Sequence, residues 1–83
     1  MNYRIILTQR ALKDLSRLRK EVKERIKKAL QKYTENPFLY ATKMIDYSFS
    51  NYRFRVGDYR ILFDIEDDVI IILRIGKRDD IYR

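Results

Sequence analysis

Apolar and polar positions follow two periods along the chain, and the change falls near Pro37. A short apolar run at Asn2 to Leu7 predicts a strand. Thr8 follows as a candidate helix N-cap, because its hydroxyl can accept from a free N–H one turn ahead. Apolar residues then recur at Ala11, Leu12, Leu15 and Leu18, and again at Val22, Ile26, Ala29, Leu30 and Tyr33. That is helical spacing with one apolar stripe, and no Gly or Pro lies between Leu18 and Val22. One long helix and a helical hairpin both satisfy the pattern. Pro37 closes the segment and biases Asn36 away from helix. Residues 38–51 read as an irregular connection carrying Lys43 and several aromatics.

Beyond the connection the period falls to two. Tyr52 to Val56 alternates strictly, and Tyr59 to Ile65 is apolar at every odd position. Gly57-Asp58 between them suits a two-residue hairpin turn. Val69 to Ile75 is apolar on both faces apart from Arg74, as expected of a central or doubly covered strand, with Asp67-Asp68 as the turn before it. The predicted class is α+β: an N-terminal strand, a helix or helix pair, then a three-stranded antiparallel meander packed on the helices. Residues 1–83 are expected to form one domain with a thin core.

A two-residue turn also fixes a register. Val56 then pairs with Tyr59, Arg55 with Arg60, Phe54 with Ile61 and Arg53 with Leu62. One face of the ribbon is apolar and must rest on the helices; the other carries Arg53, Arg55 and Arg60. Two arginines directly opposed on one face repel, by a few tenths to about 1 kcal/mol. An anion over the pair converts that repulsion to attraction, since each guanidinium offers a donor fork matched to phosphate oxygens. The plainer possibility is that they splay into solvent or pair with Asp58 and Asp64. The third strand runs back toward Gly57, so Lys77 and Arg78 should emerge near Arg55 and Arg60, with Tyr82 close behind to stack on a base. Asp79 and Asp80 stand ready to quench the same cluster.

Composition narrows the chemistry. The net charge is +7, and residues 1–36 carry all of it, with eleven Lys/Arg against four Asp/Glu. Such a surface suits a polyanion or an acidic protein, though a solvated helical face explains it equally well. There is no Cys and no His, which removes disulfides, thiolate or imidazole metal sites and the usual neutral-pH proton carrier. Any catalysis must run on Arg, Lys, Tyr, Asp and Glu, and neither a metal nor another cofactor is expected. No apolar run approaches the ~20 residues of a membrane span. Met1 to Leu7 is not expected to act as a signal peptide, so the expected location is the cytoplasm.

Tyr52-Arg53-Phe54-Arg55-Val56-Gly57-Asp58-Tyr59-Arg60, followed by Ile75-Gly76-Lys77-Arg78-Asp79-Asp80-Ile81-Tyr82, resembles the RelE/ParE toxin superfamily. The resemblance extends to Leu7-Thr8 with Ala11 to Leu15, to Leu18 to Val22, to Asn36-Pro37 and to Lys43-Met44. It implies a helical hairpin on a mostly antiparallel sheet, and a RelE-type toxin that cuts messenger RNA in the ribosomal A site. Such enzymes use no metal and take the RNA's own 2′-hydroxyl as nucleophile. By resemblance, Arg53 and Arg55 contact the scissile phosphate and Arg60 stabilises the charge that builds on it. Arg78 protonates or stabilises the leaving oxygen, Tyr82 stacks on a base, and Lys43 and Lys77 bind RNA more generally.

The resemblance also implies an acidic antitoxin partner, besides the ribosome with its message. Arginine at both first-strand positions departs from relatives with lysine there, and arginine keeps its proton too firmly to serve as a general base. Ile45 replaces a residue that is basic in some relatives, Tyr82 follows Arg78 more closely than in some, and the sequence given stops at Arg83 without a further helix. Two other functions fit the same frame: a ParE-like DNA gyrase poison, and an inactive relative that only binds its antitoxin.

Overall fold

The computed structural model describes residues 2–44 and 50–81. Its elements run β1 (Arg4–Leu7), α1 (Gln9–Ser16), α2 (Lys20–Tyr33), α3 (Pro37–Tyr40), β2 (Thr42–Lys43), β3 (Tyr52–Val56), β4 (Tyr59–Glu66), β5 (Val69–Lys77) and α4 (Arg78–Ile81). The five strands form one sheet in the order β1-β5-β4-β3-β2. β1 pairs parallel with β5, and the other neighbours are antiparallel. The α+β class and the meander are as the sequence implies.

The helical stripe resolves as a hairpin. Thr8 caps α1, its hydroxyl accepting from the Ala11 N–H at 3.1 Å. The helix stops at Arg17, whose N–H turns back to Asp14 and Leu15 carbonyls, and α2 begins after Arg19. Leu12 departs from the expected stripe and is half exposed, while Asp14 is buried in its place on the inward face. Pro37 does not close α2, which has already ended at Tyr33; it opens α3 instead, at a position where a missing N–H costs nothing. The connection expected to be irregular therefore contains a turn of helix and the edge strand β2.

The main core lies between the helices and one face of the sheet. Phe54, Val56, Ile61, Phe63, Ile70, Ile72 and Ile75 meet Ala11, Ile26 and Leu30 there. Phe54 and Phe63 stack with ring centroids 4.1 Å apart, and Tyr33 of α2 packs on Phe54 at 4.7 Å. The β4–β5 ladder carries a bulge: Leu62 pairs with Arg74 but Phe63 with Ile72, leaving Leu73 as the extra residue. The bulge changes which residues face inward. Without it Arg74 would follow Ile72 into the core; with it Ile75 takes that place and Arg74 falls on the opposite face with Leu62.

That opposite face has its own small apolar contact. Leu62 is fully buried although it points away from the main core, and Ile81 of α4 is buried too. Ile81 lies 3.6 Å from where a Cβ on Gly76 would stand, so α4 folds onto the sheet across a glycine. β5 extends beyond the end of β1, and its exposed edge is met by side chains of the adjoining segment. Thr8 donates from its N–H to the Ile72 carbonyl and from its hydroxyl to the Leu73 carbonyl. Asp14 accepts from the Ile75 N–H at 3.0 Å.

Candidate nucleic-acid interface

The Gly57-Asp58 turn organises the site. Gly57 has a φ of 59°, and among the described non-glycine residues only Asp67 is also positive, so Asp58 is not. Positive φ at the first central residue alone is the type II′ pattern, whose twist matches that of paired strands. The register is the one the two-residue turn demands: Val56 opposite Tyr59, Arg55 opposite Arg60, Phe54 opposite Ile61, Arg53 opposite Leu62. The two arginines are cross-strand neighbours on the face away from the main core.

Their environments differ. Arg55 is exposed, whereas Arg60 is 6% exposed, and its Nη1 donates to the Gly57 carbonyl at 2.9 Å and the Tyr59 carbonyl at 3.0 Å. Arg60 therefore braces the turn it follows, rather than opening its whole fork to solvent. Arg53, half-buried, stands one pleat further down β3, between Thr42 of β2 and Leu62 of β4.

β5 returns to the turn as expected. Gly76 pairs with Arg60 and Lys77 with Tyr59, and the Arg78 N–H donates to the Asp58 carbonyl at 2.9 Å. Lys77 and Arg78 are both exposed. By register Lys77 shares the face of Tyr59 rather than that of Arg55, so the cations ring the turn instead of sharing one plane. Lys43 is not part of the ring. It pairs with Tyr52 at the other end of β3, about 10 Å of strand away from Arg55. Tyr82 and Ile45 lie outside the described residues. Asp58, Asp79 and Asp80 are exposed, and among the described residues none of them forms an ion pair with the ring.

Two contacts at the turn have no signal in the sequence pattern. The Tyr33 hydroxyl of α2 donates to the Arg55 carbonyl at 3.1 Å. Arg25, also of α2, has its guanidinium against Gly57. The helical period marks Tyr33 as core and Arg25 as surface; nothing in it says that the helix ends its packing on the hairpin. On the other side of α2 an apolar groove of about 560 Å³ opens toward β1. Its floor includes Tyr3, Ile5, Leu7, Leu15, Ile26 and Leu30, with Lys23, Glu24 and Lys27 on the helix beside it.

This architecture, a helical hairpin on a five-stranded sheet, is that of type II toxin–antitoxin toxins of the RelE/ParE kind. The family described as the ParE toxin of the type II toxin–antitoxin system parDE matches residues 5–82, and the chain belongs to that family. Among solved structures, the RelE–RelB complex from Pyrococcus horikoshii is 26% identical with a TM-score of 0.76, covering 96% of this chain and 99% of that one. The isolated Escherichia coli RelE toxin is 27% identical with a TM-score of 0.76, covering 96% and 90%. The RelBE2 complex of Mycobacterium tuberculosis has a TM-score of 0.85 at 22% identity over 94% and 100%, a likeness of fold. No curated protein matches the sequence.

Proposed function

We propose that this toxin is a metal-independent endoribonuclease that cleaves messenger RNA in the ribosomal A site and so stops translation. The observation that carries the reading is the ring of Arg55, Arg60, Lys77 and Arg78 about one hairpin turn, with two of its members directly opposed. Cations gathered in this way stabilise charge that develops on a phosphate, usually the largest contribution an active site makes. In the reaction the 2′-hydroxyl oxygen bonds to the adjacent phosphorus as the bond to the 5′-oxygen breaks. The products are a 2′,3′-cyclic phosphate and a free 5′-hydroxyl.

Arg53 and Arg55 hold the scissile phosphate. Arg60 stabilises its added negative charge, exchanging the Gly57 and Tyr59 carbonyls for phosphate oxygens. Arg78 steadies the leaving oxygen, which takes a proton from water to become the 5′-hydroxyl; Tyr82 stacks on a base, while Lys43 and Lys77 hold RNA further out. No arginine here takes up the 2′-hydroxyl proton, so water receives it and rate enhancement rests on positioning and electrostatics. The partner is an acidic antitoxin, in keeping with the RelB complexes formed by its structural neighbours. The groove beside α2, apolar with lysines alongside, suits an amphipathic acidic segment of it. A ribosomal target places the protein in the cytoplasm.

The family match favours one other reading, a gyrase poison of the ParE kind. Primer extension on a translating message separates the two, with wild type, Arg60→Ala and added EDTA compared side by side. Cuts at the A-site codon that survive EDTA and vanish with Arg60→Ala are expected. Intact message with normal translation, together with inhibited DNA supercoiling, would establish the gyrase reading. Ribosome binding without cuts would mark an inactive relative.

A further inference from the structure

The hairpin turn is approached from the helical side as well. Around the position a Cβ on Gly57 would occupy, Arg25 places Nη2 at 2.7 Å and both Cζ and Nη1 at 3.0 Å. The guanidinium thus fills the space that only glycine leaves empty. Two turns further along α2, Tyr33 holds the Arg55 carbonyl. One helix therefore grips the turn at its tip and at the strand leading into it. Arg25 remains exposed.

Among the described residues the ion pairs are Arg4–Asp68, Arg10–Asp14 and Arg74–Asp14, and none involves Arg25. Its charge reaches the hairpin tip from the helical side, while Arg55 lies on the opposite face of the ribbon and Lys77 and Arg78 end the strand that returns to the same turn. Holding a long side chain in one place costs rotamer entropy, and gathering like charges adds repulsion. A polyanion passing over the turn relieves the repulsion. On the exposed side of α2, Lys28 and Lys32 follow Arg25 at spacings that share a helix face, continuing the positive surface away from the turn.

We propose that Arg25 is an additional RNA-contact residue. It takes a phosphate flanking the scissile one, where the strand leaves the Arg55 face and crosses the hairpin tip toward α2. The assignment rests on the ribonuclease reading above. The test is fluorescence anisotropy with a labelled 12-nucleotide single-stranded RNA, titrated at several salt concentrations against wild type, Arg25→Gln, Arg25→Lys and Arg55→Gln.

Arg25→Gln should weaken binding about three- to tenfold and lower the slope of log K against log salt by about 0.7, the value of one single-strand phosphate. Arg25→Lys should restore the slope, which a bracing role alone would not require. If Arg25→Gln keeps the wild-type affinity and slope while Arg55→Gln loses both, Arg25 only braces the turn; the proposal falls and the ribonuclease reading stands. If wild type shows no salt-dependent RNA binding and no A-site cuts on the ribosome, both fall together.

Discussion

Asp14 stands where the α1 stripe calls for another apolar side chain, and the structure gives the reason. β1 ends at Leu7, so β5 beyond Ile72 has lost its neighbour and needs another hydrogen-bonding partner. One carboxylate oxygen accepts from the Ile75 N–H at 3.0 Å and from Arg74 Nε at 3.1 Å; the other lies 3.6 Å from Arg10 Nε. A buried N–H stripped of its acceptor, beside an arginine stripped of its counter-charge, is costly. Asp14→Ala should destabilise the fold by about 2–4 kcal/mol, and Asp14→Asn, which keeps an acceptor, by about half as much. Urea denaturation of the three proteins checks this; equal midpoints would show that water serves the β5 edge equally well. The residue was invisible as a core member because its burial depends on which part of the distant strand β5 is left beyond the end of β1.

At the scale of elements, the hairpin and the return of β5 to it were legible, while the bulge and α4 were not. Gly57-Asp58 sets β3 against β4 through local geometry, so the Arg55–Arg60 pairing follows from the sequence. The bulge at Leu73 has no local signature: the run from Val69 to Leu73 is apolar at every position, so one skipped residue leaves the pattern unchanged. Only the alternation of buried Ile72, outward Arg74 and buried Ile75 reveals it. α4 was likewise hidden, because a four-residue helix has too few positions for a period. Its hold on the sheet is Ile81 over Gly76, with the Arg78 N–H bonded to the Asp58 carbonyl. Ile81→Ala removes most of that apolar contact, at a cost of about 2 kcal/mol or more. Amide exchange at Arg78 should then accelerate more than tenfold, with the α2 core amides little changed. Unchanged protection at Arg78 would show that α4 is held by something other than Ile81.

At the scale of the whole molecule, one helix carries positive charge to two places. Residues 1–36 hold the entire net charge of +7, and α2 displays part of it both at the hairpin turn and beside the apolar groove. The sequence supplied the sum but not its placement, which requires knowing that α2 spans from one site to the other. An acidic antitoxin seated in that groove would combine apolar burial with screened attraction. Raising salt from about 0.1 to 1 M shortens the screening length from ~10 to ~3 Å. The complex should weaken at least several-fold over that range by isothermal titration calorimetry. Indifference to salt would leave apolar burial as the whole of the interaction.

The parallel pairing of β1 with β5 has a temporal consequence. Ile5 finds its strand partner at Ile70, so the first strand to be synthesised has no neighbour until nearly all of the described chain exists. Contacts so distant in sequence close late, after the β3–β4 hairpin has formed on its own. A chain that has not yet reached β5 cannot complete this sheet or bring Lys77 and Arg78 back to the turn. The cations about the turn are therefore gathered only once β5 has been made and has folded back beside β4.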